Sequence, residues 1–286
     1  MTPTTSTGQP VTVWVDGMLT SDAEARVSAL DHGLTVGDGV FESCKVTGGT
    51  AFALTRHLRR LERSAAGLGL TPPEESWVRQ GVQEVLAAAG VDSGRLRITW
   101  TAGPGPLGSD RSPGAGTLVV AAVATRPWPA RVAAVTVPWT RNERSAVAGL
   151  KTTSYAENVV ALRYAHERGA HEAIFANTRG ELCEGTGSNV LVVSDGRLLT
   201  PPLESGCLAG ITRELFLEWS AEEGLPVVED VVPMAALRAA PEVLLLSSTR
   251  DVQPVAVLDD RDLRPTGLGR AAVELFARRS GAHLDP

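Results

Sequence analysis

A short proline-containing segment near the middle of the chain most strongly limits how it can fold. Arg126-Pro127-Trp128-Pro129 places two prolines within three residues, and proline neither donates to a strand ladder nor continues a helix. Regular elements are therefore expected to end on either side of it. In a chain of 286 residues, this predicts a linker at 126–131 between an N-terminal α/β domain at 11–125 and a larger C-terminal domain at 132–286.

Composition and charge limit the class of protein. Residues 1–10 are rich in Thr, Ser and Pro without the charged and apolar regions of a signal peptide, which predicts a flexible tail. No apolar run approaches the ~18 residues that cross a membrane, and the net charge of −6 argues against a nucleic-acid partner. Three cysteines without CxxC spacing fit neither a disulfide framework nor a zinc site. We expect a soluble, cytoplasmic protein.

Patterning in the first domain predicts strands and helices in alternation. Asp16-Gly17 is typical of a two-residue hairpin turn, Thr55 is a candidate helix cap, and Gly90 stands where a helix commonly ends. The Gly- and Pro-rich stretch 102–116 is either a mobile connection or a lid over a site. The expected strands are 11–15, 40–46, 50–54, 95–101 and 117–124, and the expected helices are 56–66 and 74–89.

The second domain is predicted to contain more hairpins. Asn177-Thr178-Arg179-Gly180 and Asp195-Gly196 are turn sequences between apolar runs. The expected strands are 132–137, 172–176, 181–183, 189–193, 197–200, 227–231, 243–246 and 254–258, and the expected helices are 154–168, 210–223, 234–239 and 267–279. The whole chain is therefore predicted to be an α+β protein of two domains, the second a pseudo-barrel.

Lysine usage singles out one position for chemistry. The chain has 25 Arg but only two Lys, Lys45 and Lys151. A guanidinium stays protonated in proteins, whereas an amine can lose its proton and form a Schiff base. Lys151 stands between strand-like sequence and a predicted helix, so it is a candidate for amine chemistry.

Further candidates match what a pyridoxal phosphate site requires, namely an acid at the pyridine nitrogen and backbone that binds an anion. Glu184 precedes a glycine-rich bend, although by itself it also fits an ordinary turn acid. Gly210-Ile211-Thr212 opens a predicted helix, whose free N–H groups can bind a phosphate. Ser247-Ser248-Thr249 ends a strand with three hydroxyls, and both segments alone would also fit ordinary caps.

Several blocks in this order resemble the class IV, fold-type IV pyridoxal-phosphate enzymes. That family includes branched-chain and D-amino acid aminotransferases and 4-amino-4-deoxychorismate lyase. The resemblance extends from Asp31 to Pro254. Its most specific blocks are Gly37-Asp38-Gly39-Val40-Phe41-Glu42, His57-Leu58-Arg59-Arg60-Leu61, Leu150-Lys151, Glu184-Gly185-Thr186-Gly187-Ser188-Asn189 and Gly210-Ile211-Thr212-Arg213.

The resemblance implies roles for individual residues and a homodimer. Lys151 would be the catalytic lysine that carries pyridoxal 5′-phosphate and moves the proton, and Glu184 would pair with the pyridine nitrogen. Tyr155 falls near a tyrosine that binds the cofactor's phenolate oxygen, although its spacing from the lysine is one residue shorter here. The remaining implied cofactor-binding residues are Arg60, Ser188, Asn189, Ile211, Thr212 and Thr249.

Other chemistries lack their motifs. The chain has neither a G-x-S-x-G elbow nor a G-x-x-x-x-G-K-[ST] phosphate loop. His166 and His171 are five residues apart, which is wrong for one helix face, so no metal site is expected. His57 is interpreted as a packing or capping residue within its motif.

Two regions bear on the substrate. Phe41-Glu42-Ser43-Cys44-Lys45-Val46 resembles the corresponding strand of D-amino acid aminotransferases, whereas the lyase more often has two Thr at the second and third positions and Arg at the fifth. Thr101-Ala102-Gly103 departs from the Thr-Arg-Gly of those aminotransferases, whose Arg binds the substrate carboxylate. Arg111 or Lys45 would then have to replace it. The Gly-Pro-Gly-Pro-Leu-Gly that follows resembles loops of sequences usually assigned to the lyase. The expected pocket residues are Phe41, Ser43, Lys45, Arg111, Thr249 and Arg250.

The leading hypothesis is therefore a transaminase that moves an amino group between an amino acid, expected to be a D-amino acid, and a 2-oxo acid. The alternative is 4-amino-4-deoxychorismate lyase, which releases p-aminobenzoate and pyruvate. A third possibility is a catalytically idle interaction protein on the same fold, against which the presence of both Lys151 and Glu184 argues.

Overall fold

The computed structural model describes residues 10–114 and 116–286. The tail predicted at 1–10 therefore lies, apart from Pro10, outside the described residues. The chain forms two compact units. Unit 1 contains the described residues up to Pro127 together with Leu150–Tyr155 and Asp285, and unit 2 contains Trp128–Gly149, Ala156–Leu284 and Pro286.

Unit 1 is built on an antiparallel sheet. Its strands are β1 (Thr12–Val15), β2 (Met18–Ser21), β3 (Gly39–Thr47), β4 (Thr50–Ala51), β5 (Ser93–Thr101) and β6 (Thr117–Ala124). Its helices are α1 (His32–Thr35), α2 (Leu54–Gly67) and α3 (Glu75–Ala89). The strand order is β2-β1-β6-β5-β3-β4, so β3 lies beside β5 near one edge.

The turn chemistry predicted for unit 1 is confirmed at two positions and wrong at one. Asp16 and Gly17 both have positive φ, 47° and 98°, as a type I′ hairpin turn requires, and Gly90 ends α3 at φ 57°. Thr55 does not cap α2, because the helix begins at Leu54 after Ala53. The Asp285 carboxylate instead accepts from the Thr55 N–H at 2.9 Å and from its hydroxyl at 2.6 Å.

The core of unit 1 lies between its sheet and the helices α2 and α3. Trp14, Leu61 and Leu96 are almost fully buried in it. Residues of β3 that face this core alternate with residues on the other face, because side chains of a strand point to opposite sides in turn. Phe41, Ser43 and Lys45 therefore share the face that does not pack on the helices.

Unit 2 combines a curled half-barrel sheet with four helices. The strands are β7 (Val132–Arg141), β8 (Glu172–Asn177), β9 (Leu182–Gly185), β10 (Asn189–Ser194), β11 (Arg197–Thr200), β12 (Val227–Glu229), β13 (Val243–Ser247), β14 (Asp251–Leu258) and β15 (Arg261–Asp262). The helices are α4 (Ala156–His166), α5 (Ile211–Glu223), α6 (Met234–Ala239) and α7 (Gly267–Ala282).

The sheet of unit 2 is mixed. Its order is β12-β11-β10-β13-β14-β7-β8-β9, with β15 on β14, and β7 runs parallel to both β14 and β8. The predicted α+β class is thereby confirmed. β9 reaches Gly185, so Glu184 lies within the strand, one residue before the glycine-rich bend. Within residues 10–114 and 116–286, no helix is long and apolar enough to span a membrane.

Candidate active site

The backbone around Lys151 is fastened to β3 within unit 1. The Phe41 N–H donates to the Lys151 carbonyl at 2.9 Å, and the Thr153 N–H donates to the Gly39 carbonyl at 2.8 Å. The Lys151 N–H donates to the Ser64 hydroxyl on α2 at 3.2 Å. The segment that carries the lysine is therefore held by both the strand and the helix of unit 1, although its sequence number falls in the predicted C-terminal domain.

An aromatic pair surrounds the Lys151 amine. Its Nζ lies 4.4 Å from the centroid of the Phe41 ring and 5.9 Å from that of Tyr155. The two rings are edge to face, with centroids 5.1 Å apart. Aromatic faces attract a cation, so the two rings limit where the amine can lie. Phe41, which was predicted from a different block than Lys151 and Tyr155, is thus brought together with them.

A buried charge network lies behind this cluster. Arg60 donates through Nε and Nη2 to the two carboxylate oxygens of Glu42, at 2.8 and 2.7 Å, and both side chains are almost completely buried. His57 Nδ1 lies 2.7 Å from the same carboxylate. Burial alone would raise the pKa of Glu42, but Arg60 and then His57 lower it below its ordinary value.

Burial lowers the pKa of His57, and the nearby Glu42 opposes this only in part. The imidazole is then neutral near pH 7, and its Nδ1 carries the proton because an ionised carboxylate can only accept. The bidentate contact with Glu42 uses one edge of the Arg60 guanidinium and fixes its plane. The implied role of Arg60 in binding the cofactor's phosphate stays a prediction.

The substrate-pocket residues predicted in unit 1 have different environments. Ser43 is half-buried and pairs with Arg97 across β3 and β5. Lys45 Nζ lies 5.0 Å from the centroid of the Phe52 ring. Arg111 donates to both oxygens of Asp38, at 2.7 and 2.6 Å, and to the carbonyls of Leu68 and Gly69.

The loop after Thr101 is attached to unit 1 at several points. The His32 N–H donates to the Gly103 carbonyl at 2.9 Å, and the ring Nε2 donates to the Pro106 carbonyl at 2.9 Å. A Cβ on Gly105 would lie 2.4 Å from that ring nitrogen, so only glycine fits there. Together with the Arg111–Asp38 pair, these bonds attach residues 103–111 to the rest of unit 1.

In unit 2, a backbone N–H and an arginine lie beside the Glu184 carboxylate. Its Oε2 accepts from the Leu208 N–H at 2.9 Å, and its Oε1 lies 3.3 Å from Arg141 Nε. Arg141 also donates to Asn158 at 3.0 Å and lies over the Phe175 ring. Sequence reasoning missed Arg141, because a single Arg at a strand end carries no motif.

A second buried acid organises the bend after Glu184. Glu172 is 1% exposed and accepts from the Thr186 N–H at 2.9 Å, from the Thr186 hydroxyl, and from the Ser188 hydroxyl at 2.9 Å. A Cβ on Gly185 would lie 2.5 Å from the Ser188 oxygen. Ser188 therefore directs its hydroxyl to Glu172, a positioning contact that no sequence pattern indicated.

The start of α5 provides a group of backbone donors. Gly210 precedes the helix without any side-chain cap, and Ile211 and Thr212 are nearly buried. The Asn189 side chain donates to the Leu208 carbonyl at 2.8 Å, and a Cβ on Gly210 would lie 2.0 Å from its Oδ1. The first N–H groups of an uncapped helix suit a phosphate, so this end of unit 2 fits the anionic part of pyridoxal phosphate.

The strand end at Ser247 adds further polar atoms in unit 2. Ser248, Thr249 and Arg250 form the turn between β13 and β14. The Ser247 hydroxyl is buried and has no hydrogen-bond partner among the described residues. Arg250 was predicted in the substrate pocket; it donates to the His171 carbonyl and to Gln253, both at 3.0 Å, and stacks on Trp128.

A comparison with protein families supports the same interpretation. Residues 39–258 match the family model described as amino-transferase class IV. A D-alanine aminotransferase of Staphylococcus haemolyticus is 30% identical and aligns over 92% of this chain and 94% of its own. A bifunctional aminodeoxychorismate lyase / D-amino acid transaminase of Mycobacterium tuberculosis is 30% identical over 92% and 96%, respectively.

Solved structures give the same fold. The branched-chain aminotransferase of Thermoproteus uzoniensis, determined with norvaline, superposes with a TM-score of 0.87 at 30% identity and 94% coverage of both chains. An aminotransferase of Mycobacterium tuberculosis in its PLP-bound form superposes with a TM-score of 0.82 at 29% identity, over 93% of this chain and 97% of its own. The predicted fold type is confirmed.

Proposed function

The chain belongs to the class IV aminotransferases, which depend on pyridoxal 5′-phosphate, and we propose that it transfers an amino group between a D-amino acid and a 2-oxo acid. The observation that carries this proposal is the Lys151 amine, held on a segment fastened to β3 and enclosed by Phe41 and Tyr155. The likeness of the Phe41–Val46 strand to D-amino acid enzymes, and the D-alanine aminotransferase among the relatives, support the handedness.

When bound, the cofactor supplies an electron sink that stabilises negative charge at the substrate's α-carbon. Lys151 Nζ would hold the cofactor at rest and would carry a proton to and from that carbon. Phe41 and Tyr155 limit where the amine can move, so the proton is delivered along one path.

In unit 2, the Glu184 carboxylate would hold a proton on the pyridine nitrogen. Its bond from the Leu208 N–H and the nearby Arg141 cation would keep it oriented. The phosphate would be bound by the N–H groups of Ile211 and Thr212 and by the hydroxyls of Thr212 and Thr249.

The experiment is a half-reaction with the cofactor-loaded protein and no acceptor. Addition of D-alanine or D-glutamate should convert the absorbance of the bound cofactor to that of pyridoxamine phosphate. The L-enantiomers should react at least about tenfold more slowly, a difference of roughly 1.4 kcal/mol in the activation free energy. Conversion by L-branched-chain amino acids alone would contradict the proposed handedness.

A second candidate is 4-amino-4-deoxychorismate lyase. It is favoured by the bifunctional Mycobacterium tuberculosis relative and by the Ser43 hydroxyl on the face of Phe41. The lyase would release pyruvate and p-aminobenzoate from 4-amino-4-deoxychorismate without any amino acceptor. Detection of p-aminobenzoate would establish this activity, and its absence at high enzyme concentration would exclude it. We also propose a homodimer from the resemblance, which sedimentation equilibrium would test.

A further inference from the structure

The substrate carboxylate needs a cationic partner, and the two candidates from sequence do not provide an obvious one. Position 102 of this chain is Ala. The resemblance to D-amino acid aminotransferases would instead place there the Arg that binds the substrate carboxylate. Arg111 already pairs with Asp38 and binds two carbonyls, so its donors hold the loop in place. Lys45 lies against Phe52 instead of Phe41.

We propose that Arg97 binds the α-carboxylate of the amino acid, an inference that rests on the proposed transaminase function. Arg97 lies on β5 opposite Ser43 and is a diagonal neighbour of Phe41 across the strand pair. Diagonal side chains on one face of a sheet lie within reach of each other when they are long. The Arg97 Cζ accordingly stacks 3.8 Å from the centroid of the Phe41 ring.

This stacking brings Arg97 close to the reacting amine. The Lys151 Nζ is 4.4 Å from the same centroid, so Cζ and Nζ cannot be farther apart than the sum of the two distances, about 8 Å. An amino acid with its nitrogen at the position of the amine places its carboxylate one carbon away, so a hydrogen bond of about 2.8 Å can reach it.

The donors of Arg97 are arranged for a carboxylate. Its Nε donates to the Thr99 hydroxyl at 3.2 Å, which restrains the guanidinium, and both terminal nitrogens retain N–H donors for a carboxylate. No carboxylate of the described residues pairs with Arg97, and its side chain is exposed. A planar fork that stacks on an aromatic ring is the geometry in which Arg binds a carboxylate through two bonds.

The test compares Arg97→Met with Arg95→Met. Arg95 is on the same strand and face, opposite Lys45, and is the matched control. The donors are the enantiomer of alanine that the wild type accepts and isopropylamine, in which a methyl group replaces the carboxylate. For Arg97→Met, kcat/KM with alanine should fall about 10- to 100-fold, while the rate with isopropylamine should change less than about twofold. Arg95→Met should change neither rate by more than about twofold.

A binding measurement makes the test independent of turnover. Calorimetric titration of the loaded protein with isobutyrate, which has the carboxylate but no amine, should give a Kd that is about tenfold weaker or more in Arg97→Met. An unchanged Kd, or equal losses with alanine and isopropylamine, would overturn the assignment. If the wild type binds isobutyrate but transfers an amino group from no donor, the proposed function is refuted. The calorimetric comparison with Arg97→Met would still decide whether Arg97 binds a carboxylate.

Discussion

Replacing Glu42 with Gln should strongly destabilise unit 1, although it removes no more than a charge and changes almost no volume. Glu42 is fully buried and receives three short hydrogen bonds, two from Arg60 and one from His57. A Gln amide has one oxygen and one NH₂ group. In the variant, that NH₂ group would face donors, and the buried Arg60 would lose the carboxylate that accepts two of its hydrogen bonds.

The expected cost follows from that burial. Removing one partner of a buried ion pair costs about 3–5 kcal/mol, because the remaining charge is left uncompensated. The amide oxygen of Gln still accepts one hydrogen bond, so we expect the free energy of unfolding to fall by about 3 kcal/mol. The matched control is Glu75→Gln in the exposed pair with Arg79, which should cost less than about 0.5 kcal/mol.

The assay is urea unfolding of the cofactor-free protein at pH 7, followed by far-UV circular dichroism. The pH dependence gives an independent check. The folded pKa of Glu42 is below its ordinary value of 4.5, so its stabilisation is complete above about pH 5 and is lost as the pH falls toward the folded pKa. The Glu42→Gln variant should lack this pH-dependent part of the stability.

A difference below about 1 kcal/mol between Glu42→Gln and Glu75→Gln would refute this reasoning. It would mean that solvent or a rearranged side chain satisfies Arg60. If Arg60 also binds the cofactor's phosphate, the Kd for pyridoxal phosphate should weaken by about tenfold in Glu42→Gln, because the guanidinium loses its fixed orientation.

Three further outcomes are expected. Lys151→Ala should abolish turnover while leaving the circular dichroism spectrum unchanged, and multiple turnovers without added amine would disprove its role. Burial lowers the pKa of His57 in the folded protein, so below about pH 6.5 the unfolded chain binds more protons than the folded one. The free energy of unfolding should therefore fall from about pH 6.5 toward pH 5, and the His57→Gln variant should show a smaller decrease. Arg111→Gln should accelerate amide exchange in residues 102–110 by about tenfold, because the loop loses its bonds to Asp38, Leu68 and Gly69; unchanged protection by mass spectrometry would show that other contacts hold the loop.

Much of the secondary structure could be predicted from local signals. Turns at Asp16-Gly17 and Gly90 depend on residues that tolerate positive φ, and those signals act within a few positions of the chain. Thr55 shows the limit of this reasoning. Its backbone and side chain bind Asp285, 230 positions away, and no local pattern reports so distant a partner.

The candidate site shows the same division. Lys151 and Glu184 could be selected because their residue types and order match a chemistry. Three other residues could not be selected from sequence, because each acts on a neighbour that only the fold supplies. Arg141 lies beside Glu184, Glu172 binds the bend at 185–188, and Arg97 stacks on the ring of Phe41.

The sequence by itself therefore determined the family, the cofactor and the fold class, since these depend on residue types in a fixed order along the chain. Only the tertiary structure decided that residues 150–155 belong to unit 1, that Arg111 holds a loop, and that Arg97 approaches the Lys151 amine through Phe41. The physical reason is that hydrogen bonds, ion pairs and ring contacts depend on distances in space, which strand pairing and burial establish between residues far apart in the chain.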